Sequence, residues 1–249
     1  METSPRHPWA PALLPAVILS LGLVLGGALL GAGFRAGRAV DRYVTVKGAV
    51  EREVEANLAL WPLQLVTAAD VLGEAQAGSR RSVELARSFL ADNGIQAEQV
   101  TVQGFKVTDT EANPYQSGST ANRYIITQTL MVRSEDPHAV LAASQRIGDL
   151  VDQGVVLISG EEYGPGGPTF LFTGLNDLKP AMLAEATSRA KEAADEFASA
   201  SGSRVGPIRR ANQGVFEILP RDPVPGQAEQ NQLYKTVRVV ATIEYLLEG

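Results

Sequence analysis

One stretch limits the possible folds of this chain more than any other: residues 9–34 contain no charged side chain. A membrane-spanning helix needs roughly 20 mostly apolar residues, so this run is long enough to cross a bilayer. The apolar core of a cleaved signal peptide is usually shorter, about 7–15 residues. The sequence therefore predicts a tail at 1–8, a transmembrane anchor or uncleaved signal at 9–34, and a linker at 35–42.

The charges beside this run bear on its orientation in a membrane. Arg6 precedes the run, whereas Arg35, Arg38, Arg42 and Lys47 follow it. Positive residues near a span favour the cytoplasmic side. The charge count alone would therefore place the C-terminal part of the chain in the cytoplasm.

Composition excludes several functions for the remaining residues, 43–249. The chain has no cysteine, so disulfides, thiolate nucleophiles and cysteine-based metal sites are ruled out. Of its two histidines, His7 and His138, the first lies in the N-terminal tail, so we expect no histidine cluster in the folded part. A net charge of −6 opposes binding to nucleic acid. We therefore expect no nucleic acid partner.

The apolar periodicity of 43–249 predicts an α+β domain of mostly antiparallel strands with helices packed on one side. Predicted helices cover Leu72–Asp92, a segment starting at Asp136-Pro137 and a segment starting at Asp177. The buried stripes predicted for the last two are Val140, Ser144, Ile147 and Val151, and then Leu183, Ala186, Ala190, Ala193, Phe197 and Ala200. Predicted strands cover Val100–Thr108, Tyr124–Arg133 and Lys235–Leu246. A helix, strand, long loop and strand occur twice, which indicates a weak internal two-fold repeat.

The segment "YVTVKGAVEREVEANLALWPLQL" at 43–65 combines apolar alternation with a group of charges. We interpret it as a β-hairpin with a short first strand, a turn at Gly48–Glu53, and a second strand whose apolar face carries Val54 to Leu60. Trp61 falls on the opposite face, where we expect it to be buried under a helix. An exposed tryptophan there would instead be an interface anchor. The charges that this hairpin carries are Lys47, Glu51, Arg52, Glu53 and Glu55.

Motifs with catalytic spacing are present but incomplete. Ser188 and Lys191 have the S-x-x-K spacing of acyl-transfer enzymes, without the partner motifs. The glycines of Gly164–Pro168 lack the G-K-[ST] of a phosphate loop. Glu161 and Glu162 adjoin this bend and point to opposite faces if they lie on a strand. None of these groups predicts a catalytic residue.

Metal and ligand sites are also weakly indicated. His138 occupies a first helical turn without nearby ligands. Asp92, Asp109 and Glu111 lack the spacing of a calcium loop. Tyr115, in a long polar loop, is a candidate for a protein contact. The sequence therefore predicts no catalytic residue, no cofactor and no metal site.

Four segments in order resemble the SIMPL-domain family, which includes bacterial periplasmic immunogenic antigens. These segments are "YVTVKGAVEREVEANLALWPLQL", "RSVELARSFLADNGIQAEQVTVQGFKV", "YIITQTLMVRSEDPHAVLAASQRIGDLVDQG" and "MLAEATSRAKEAADEFASASGSRVG". Together they extend the likeness over about 43–248. The resemblance implies an exported protein of the cell envelope, linked in some members to stress tolerance, without established catalytic residues. It favours a C-terminal domain outside the cytoplasmic membrane, against the charge count.

Two functions remain open at this stage. The first is a membrane-anchored, non-enzymatic interaction or assembly module with an unknown protein partner. In it, the regular strand Lys235–Leu246 acts as a sheet edge that builds a homo-oligomer, with Arg238 and Glu244 facing a neighbour. A strand this regular could instead be a central strand that is already paired on both sides. The alternative is a carboxylate-dependent hydrolase or small-ligand-binding protein that uses the loops Asp109–Asn122 and Leu219–Gln232.

Overall fold

The computed structural model describes residues 10–37, 42–112, 122–158 and 167–249, and in its first helix the side chains of 18–32. The helices are α1 (Ala10–Gly37), α2 (Leu72–Asp92), α3 (Pro137–Gln145), α4 (Gly148–Asp152) and α5 (Leu175–Ala200). The strands are β1 (Tyr43–Glu55), β2 (Leu58–Ala69), β3 (Val100–Asp109), β4 (Tyr124–Ser134), β5 (Val156–Leu157), β6 (Thr169–Leu171), β7 (Arg204–Gln213), β8 (Glu217–Pro220) and β9 (Tyr234–Glu248). The α+β class and the antiparallel sheets are as predicted.

Sheet B has the strand order β3-β4-β2-β5, with β6 also paired to β2. Its long central pair is antiparallel, from Ala59 opposite Ser134 to Ala69 opposite Tyr124. Helix α2, whose predicted bounds are confirmed, packs on this pair and contributes Phe89 and Leu90 to the core. It ends at Asp92, and Gly94 just beyond the C-cap residue has a φ of 83° that few other residues adopt.

Sheet A has the strand order β1-β9-β7, and β8 pairs antiparallel with β9. The predicted alternation of β9 is confirmed. Its buried face carries Val237, Val239, Ala241, Ile243 and Tyr245. Helix α5 packs on this sheet, and Met182 and Ala186 share a core cluster with Val50 of β1.

The described residues form two compact units. One holds the described residues up to Thr45 together with Ala194–Arg210 and Glu244–Gly249. Within it, the Arg209 guanidinium lies 4.3 Å from the centre of the Tyr43 ring. The other unit holds Val46–Ala193 and Ala211–Ile243, and it contains the surface described in the next section.

The strand orders of the two sheets follow a common scheme. In each sheet, the strand after the long helix neighbours a later long strand, β3 beside β4 and β7 beside β9. The later strand is flanked on its other side by β2 in one sheet and β1 in the other. The internal repeat itself remains a prediction.

The predicted hairpin at 43–65 is wrong, because β1 and β2 belong to different sheets. Strand β1 continues through the predicted turn, and its buried positions alternate regularly through Val46, Gly48 and Val50. The chain changes sheets at Ala56-Asn57. There the Ala56 amide donates to the Leu233 carbonyl at 2.9 Å, and the Asn57 amide donates to the Leu171 carbonyl at 3.0 Å.

This crossing also changes which side of β2 is buried. Ala59, Trp61, Leu63 and Leu65 face the core, and Trp61 is 3% exposed. Of the predicted apolar face, Ala56 and Leu58 are buried, whereas Val54 and Leu60 are only half-buried. Trp61 is therefore a core residue and not an interface anchor.

The helix that starts at Asp136-Pro137 begins as predicted but is interrupted. The Asp136 carboxylate accepts from the Ala139 amide at 3.1 Å, a standard N-cap. The Arg146 backbone leaves helical geometry, and its guanidinium bonds to Asp149 and Asn93. Helix α4 starts two residues later, and the buried positions are Val140, Ala143 and Leu150 instead of the predicted stripe through Val151.

The predicted stripe of α5 is also corrected. Its buried residues repeat every fourth position: Met182, Ala186, Ala190, Ala194 and Ala198. Leu183 and Ala193 are only half-buried, and Phe197 is 54% exposed. Met182 and Ala186 of this row pack in the core cluster with sheet A, and Leu175 and Leu178 pack against it.

Helix α1 lies where the uncharged run predicted a helix. Across the part of the chain that the structure describes, no helix is both long and apolar enough to cross a membrane. The transmembrane anchor at 9–34 stays a prediction.

Candidate interaction surface

Strand β3 forms one edge of sheet B. Among the described strands, it pairs with β4 and with no other. An edge strand presents unpaired backbone N–H and C=O groups that can bind another strand. The pairing with β4 shifts register between Val102 and Gly104, which places a β-bulge at Gln103. A bulge and the exposed Lys106 are both features by which natural edges limit unspecific pairing.

One face of β3 carries an apolar row that the described residues leave about half exposed. Val102, Phe105 and Val107, here called the β3 row, lie opposite Leu130, Gln128 and Ile126 of β4. Residues directly opposite in antiparallel strands share a face. Leu130 and Ile126 are fully buried. The β3 row therefore lies on the core side of the sheet.

Helix α2 does not reach this row. It lies across β2 and β4, with Gly78 close to Thr67 of β2 and the Ser79 hydroxyl donating to the Gln128 amide oxygen at 2.9 Å. Val102 is 47% exposed, Phe105 58% and Val107 42%. Adjacent exposed apolar side chains at a sheet edge are typical of an interaction site.

The opposite face of the same edge borders an open cavity of about 570 Å³. Leu60 and Met131 supply apolar lining, and Arg133 and Glu135 supply charges. Thr101 and Gln103 of β3 also line it. Both faces of β3 are thus accessible, one apolar and one mixed.

The two loops proposed to hold catalytic carboxylates do not present free ones. Their sequences contain four carboxylates, and all four lie within the described residues. Arg123 pairs with Asp109 at 3.1 Å and with Glu111 at 3.0 Å. The hydrogen bond that Arg123 donates holds the pKa of Asp109 below its ordinary value. This keeps Asp109 ionised, the opposite of what a general acid needs.

The second loop shows the same pairing. Arg221 pairs with Asp222 at 2.8 Å, and Lys235 pairs with Glu229 at 2.7 Å. The Gln232 side chain closes the loop by accepting from the Asp222 amide and donating to its carbonyl. This loop borders a cavity of about 270 Å³. The polar groups named here are engaged in holding the loop.

Lys235 is a buried charge that sequence reasoning missed. Its side chain is 0% exposed, and its Nζ donates to both the backbone oxygen and Oε1 of Glu229, each at 2.7 Å. The signal was available in the alternation of β9, since Lys235 shares the parity of Val237 and Val239. A lysine on that face must be buried and paired.

The other predicted candidates do not converge on a site. The Ser188 hydroxyl donates to Glu192 Oε1 at 3.1 Å, and both Ser188 and Lys191 are exposed. His138 Nε2 contacts Glu55 Oε1. Within the described ranges, no group of three or more His, Asp or Glu side chains is placed to hold a metal ion. Tyr115, Glu161 and Glu162 lie outside the described residues, as does most of Gly164–Pro168.

Four of the five charges in the segment 43–65 lie on the solvated face of β1, and Arg52 lies on its other face. Lys47, Glu51, Glu53 and Glu55 are exposed. Arg52 pairs with Glu185 of α5 at 3.4 Å. These side chains lie at the surface of the sheet and do not converge on one site.

The predicted interface on Lys235–Leu246 is wrong. Strand β9 lies between β1 and β7 in sheet A, so its backbone groups face strands of its own chain on both sides. Its outward charges also have partners within the chain. Arg238 contacts Glu51 at 3.5 Å, and Glu244 contacts Arg209 at 3.4 Å.

Comparison with known proteins places the chain in a family. No curated protein matches it. Three chains of solved structures match, including the regulatory subunit of aspartate kinase from Thermus flavus, which is 15% identical over 80% of this chain and 89% of that one. Its TM-score of 0.19 is too low to inform on fold or function. A family model described as "SIMPL: Protein of unknown function (DUF541)" matches residues 44–244, most of the chain, as the resemblance predicted. The chain therefore belongs to the SIMPL family.

Proposed function

We propose that this protein is a non-catalytic interaction module of the bacterial cell envelope that makes its protein contacts through the β3 edge. The observation that carries the proposal is the β3 row, three apolar side chains that the described residues leave exposed on the core side of a sheet. Burying apolar surface of this kind is the main favourable term in protein association. The paired carboxylates of both loops support a non-catalytic role.

Attachment to the membrane through α1 is part of the same proposal. Large apolar side chains on this helix are more than half exposed: Ile18, Leu19, Leu21, Leu23, Val24, Leu25, Leu29 and Leu30. A helix that is apolar on all sides needs an apolar environment. With the family resemblance, this supports a protein held at the cytoplasmic membrane with its C-terminal domain outside. The link to envelope or oxidative stress tolerance rests on the resemblance.

Membrane attachment and orientation are tested with one cysteine, because the natural chain has none. Gln153 is exposed at the end of α4, so Gln153→Cys offers an accessible thiol. We expect the variant to stay with the membrane fraction after a high-salt wash. A membrane-impermeant thiol reagent is expected to label it in whole cells whose outer membrane, if any, is permeabilised. Labelling only after the inner membrane is broken would place the domain in the cytoplasm.

The interaction role is tested by crosslinking in intact cells. Phe105→Asp places a charge in the β3 row and is expected to remove crosslinked partners. The matched variants Asp109→Asn, Glu111→Gln, Asp222→Asn and Glu229→Gln are expected to retain them. A carboxylate variant that abolishes the stress phenotype of cells while keeping its thermal unfolding midpoint would instead support the carboxylate-dependent hydrolase or ligand-binding alternative.

A further inference from the structure

We propose that β3 binds β3 of a second copy of this chain, antiparallel, about a twofold axis that passes between Gln103 and Gly104. This inference rests on the proposed function and names the partner of the same surface. The second copy is the occupant because the apolar pattern of the strand is complementary to itself.

The complementarity follows from the positions of the apolar residues on the core-side face. Val102 and Phe105 lie equally far from the midpoint between Gln103 and Gly104, and so do Val100 and Val107. All four share one face, because each lies opposite a core-side residue of β4. An antiparallel twofold pairing about this midpoint therefore sets every apolar residue opposite an apolar residue.

The bulge determines which register keeps the faces aligned. Side chains alternate along a strand, and the extra residue at Gln103 resets that alternation. Placing the bulge on the axis leaves two regular ladders, one on each side of it. In this register Val102 lies opposite Phe105 of the second copy, and Thr101 lies opposite Lys106 of the second copy.

The charges are compatible with the register. Lys106 meets a neutral threonine, so no pair of like charges forms within the ladders. Asp109 approaches Glu98 of the second copy at the end of the pairing. Arg123 already neutralises Asp109 through its ion pair.

The size of the contact predicts a weak dimer. Three partly exposed side chains and one strand edge per copy fall below the roughly 1,200 Å² buried by a stable standard interface. We therefore expect dissociation constants in the micromolar range or weaker for the free chain. Tethering to a membrane raises the effective concentration, which allows such a contact to form.

Disulfide trapping tests the register, using the full chain in detergent. The double variant Thr101→Cys with Lys106→Cys should oxidise to a disulfide-linked dimer, because opposite positions bring Cα atoms within bonding range. Each single variant should stay monomeric on a non-reducing gel. Within one chain the two positions lie roughly 15 Å apart along the strand, too far for an internal bond. Equal trapping by a single variant, or none by the double variant, would overturn the register.

Light scattering on the full chain in detergent tests the association. Phe105→Asp is expected to weaken dimerisation at least about tenfold, since it sets a charge against Val102 of the second copy. The matched control is Phe197→Asp, because Phe197 is 54% exposed and Phe105 is 58%. This control is expected to leave dimerisation unchanged. An equal effect of both substitutions, or a monomer at every concentration up to about 1 mM, would overturn the inference.

The failure of this inference is distinguishable from the failure of the proposed function. If the chain is monomeric but Phe105→Asp still removes a different crosslinked protein in cells, the β3 edge binds that protein and only the second copy is wrong. If Phe105→Asp changes neither measurement, the interaction role of the edge is wrong as well.

Discussion

Strands β1 and β3 are both sheet edges, but only β1 is covered by a helix. In β1 every second residue from Val44 to Val50 is buried, and the alternate positions are solvated. In β3 most positions are exposed, including the apolar row. The apolar content of an edge strand therefore does not determine its exposure. The exposure of an edge strand is determined by the position of the nearest helix.

The two helices differ in how closely they approach the edge. Helix α5 presents a row of alanines, and its backbone lies directly against Gly48 of β1. A side chain at that position has no room. Helix α2 packs mainly on β2 and β4, and its Gly78 faces Thr67 of β2, which is two strands away from β3.

The largest expected effect is that of Gly48→Ala. An added Cβ would lie 1.9 Å from the Ala186 carbonyl oxygen and 2.7 Å from the Ala190 amide nitrogen. Both atoms are backbone, so the helix itself must move. We expect a loss of about 3 kcal/mol or more in the free energy of unfolding, measured by urea denaturation.

The matched control is Gly104→Ala on β3. There an added Cβ meets the Thr129 hydroxyl oxygen at 3.4 Å, an ordinary contact. Its cost is expected to stay below about 1 kcal/mol. Similar losses for the two substitutions would contradict the difference between the covered and the open edge.

A second prediction compares two lysines, one buried and one exposed. Lys235→Met keeps the aliphatic volume but removes the charge that pairs with Glu229. Because the Glu229 side chain is 32% exposed, water restores part of the lost interaction. We expect a loss of about 2 kcal/mol.

The control for this prediction is Lys106→Met on the exposed edge. It is expected to change stability by less than about 0.5 kcal/mol. Denaturation of both variants at neutral pH checks the comparison. If Lys235→Met and the natural chain are equally stable, the buried ion pair makes no net contribution to the free energy of unfolding.

Much of the secondary structure could be predicted from local periodicity. The bounds of α2 and the alternation of β9 follow from spacing within one segment. The turn predicted at Gly48–Glu53 is absent, because Gly48 lies within β1 and packs closely against α5. No local sequence pattern reveals this contact. Trp61 was expected on the polar face of its strand. This was wrong because the chain changes sheets at Ala56-Asn57, just before Trp61.

The exposure of the β3 row could not be predicted from the sequence for a related reason. The order of strands in a sheet is set by contacts distant in sequence, so β9 had the features of a free edge although it is central. Val102, Phe105 and Val107 have the composition of a core strand. Their exposure depends on where α2 lies, which the sequence of β3 does not encode.

The third prediction tests the difference between the edges with valines. Val50 of β1 is 1% exposed and packs in a core cluster with α5. We expect Val50→Ala to reduce stability by about 1–2 kcal/mol through lost burial and a small cavity. Val102→Ala on β3 is expected to cost less than about 0.5 kcal/mol at concentrations where the chain is monomeric. A larger loss for Val102→Ala than for Val50→Ala would mean that the β3 row is covered within its own chain.

The smallest expected effect is a change in pH dependence at the end of the open edge. Arg123 lowers the pKa of Asp109, so the carboxylate binds a proton more weakly in the folded chain than in the unfolded one. Its contribution to stability is therefore present above the unfolded pKa and is lost as pH falls through the folded pKa. We expect the free energy of unfolding of Asp109→Asn to differ most from that of the natural chain near neutral pH, and the difference to vanish on acidification.

Urea denaturation from pH 7 to strongly acidic conditions measures this difference. Arg123→Gln should remove the same component, and the double variant should show no further pH-dependent loss. A difference between Asp109→Asn and the natural chain that is constant with pH would mean that the Arg123 ion pair does not influence stability through ionisation of Asp109.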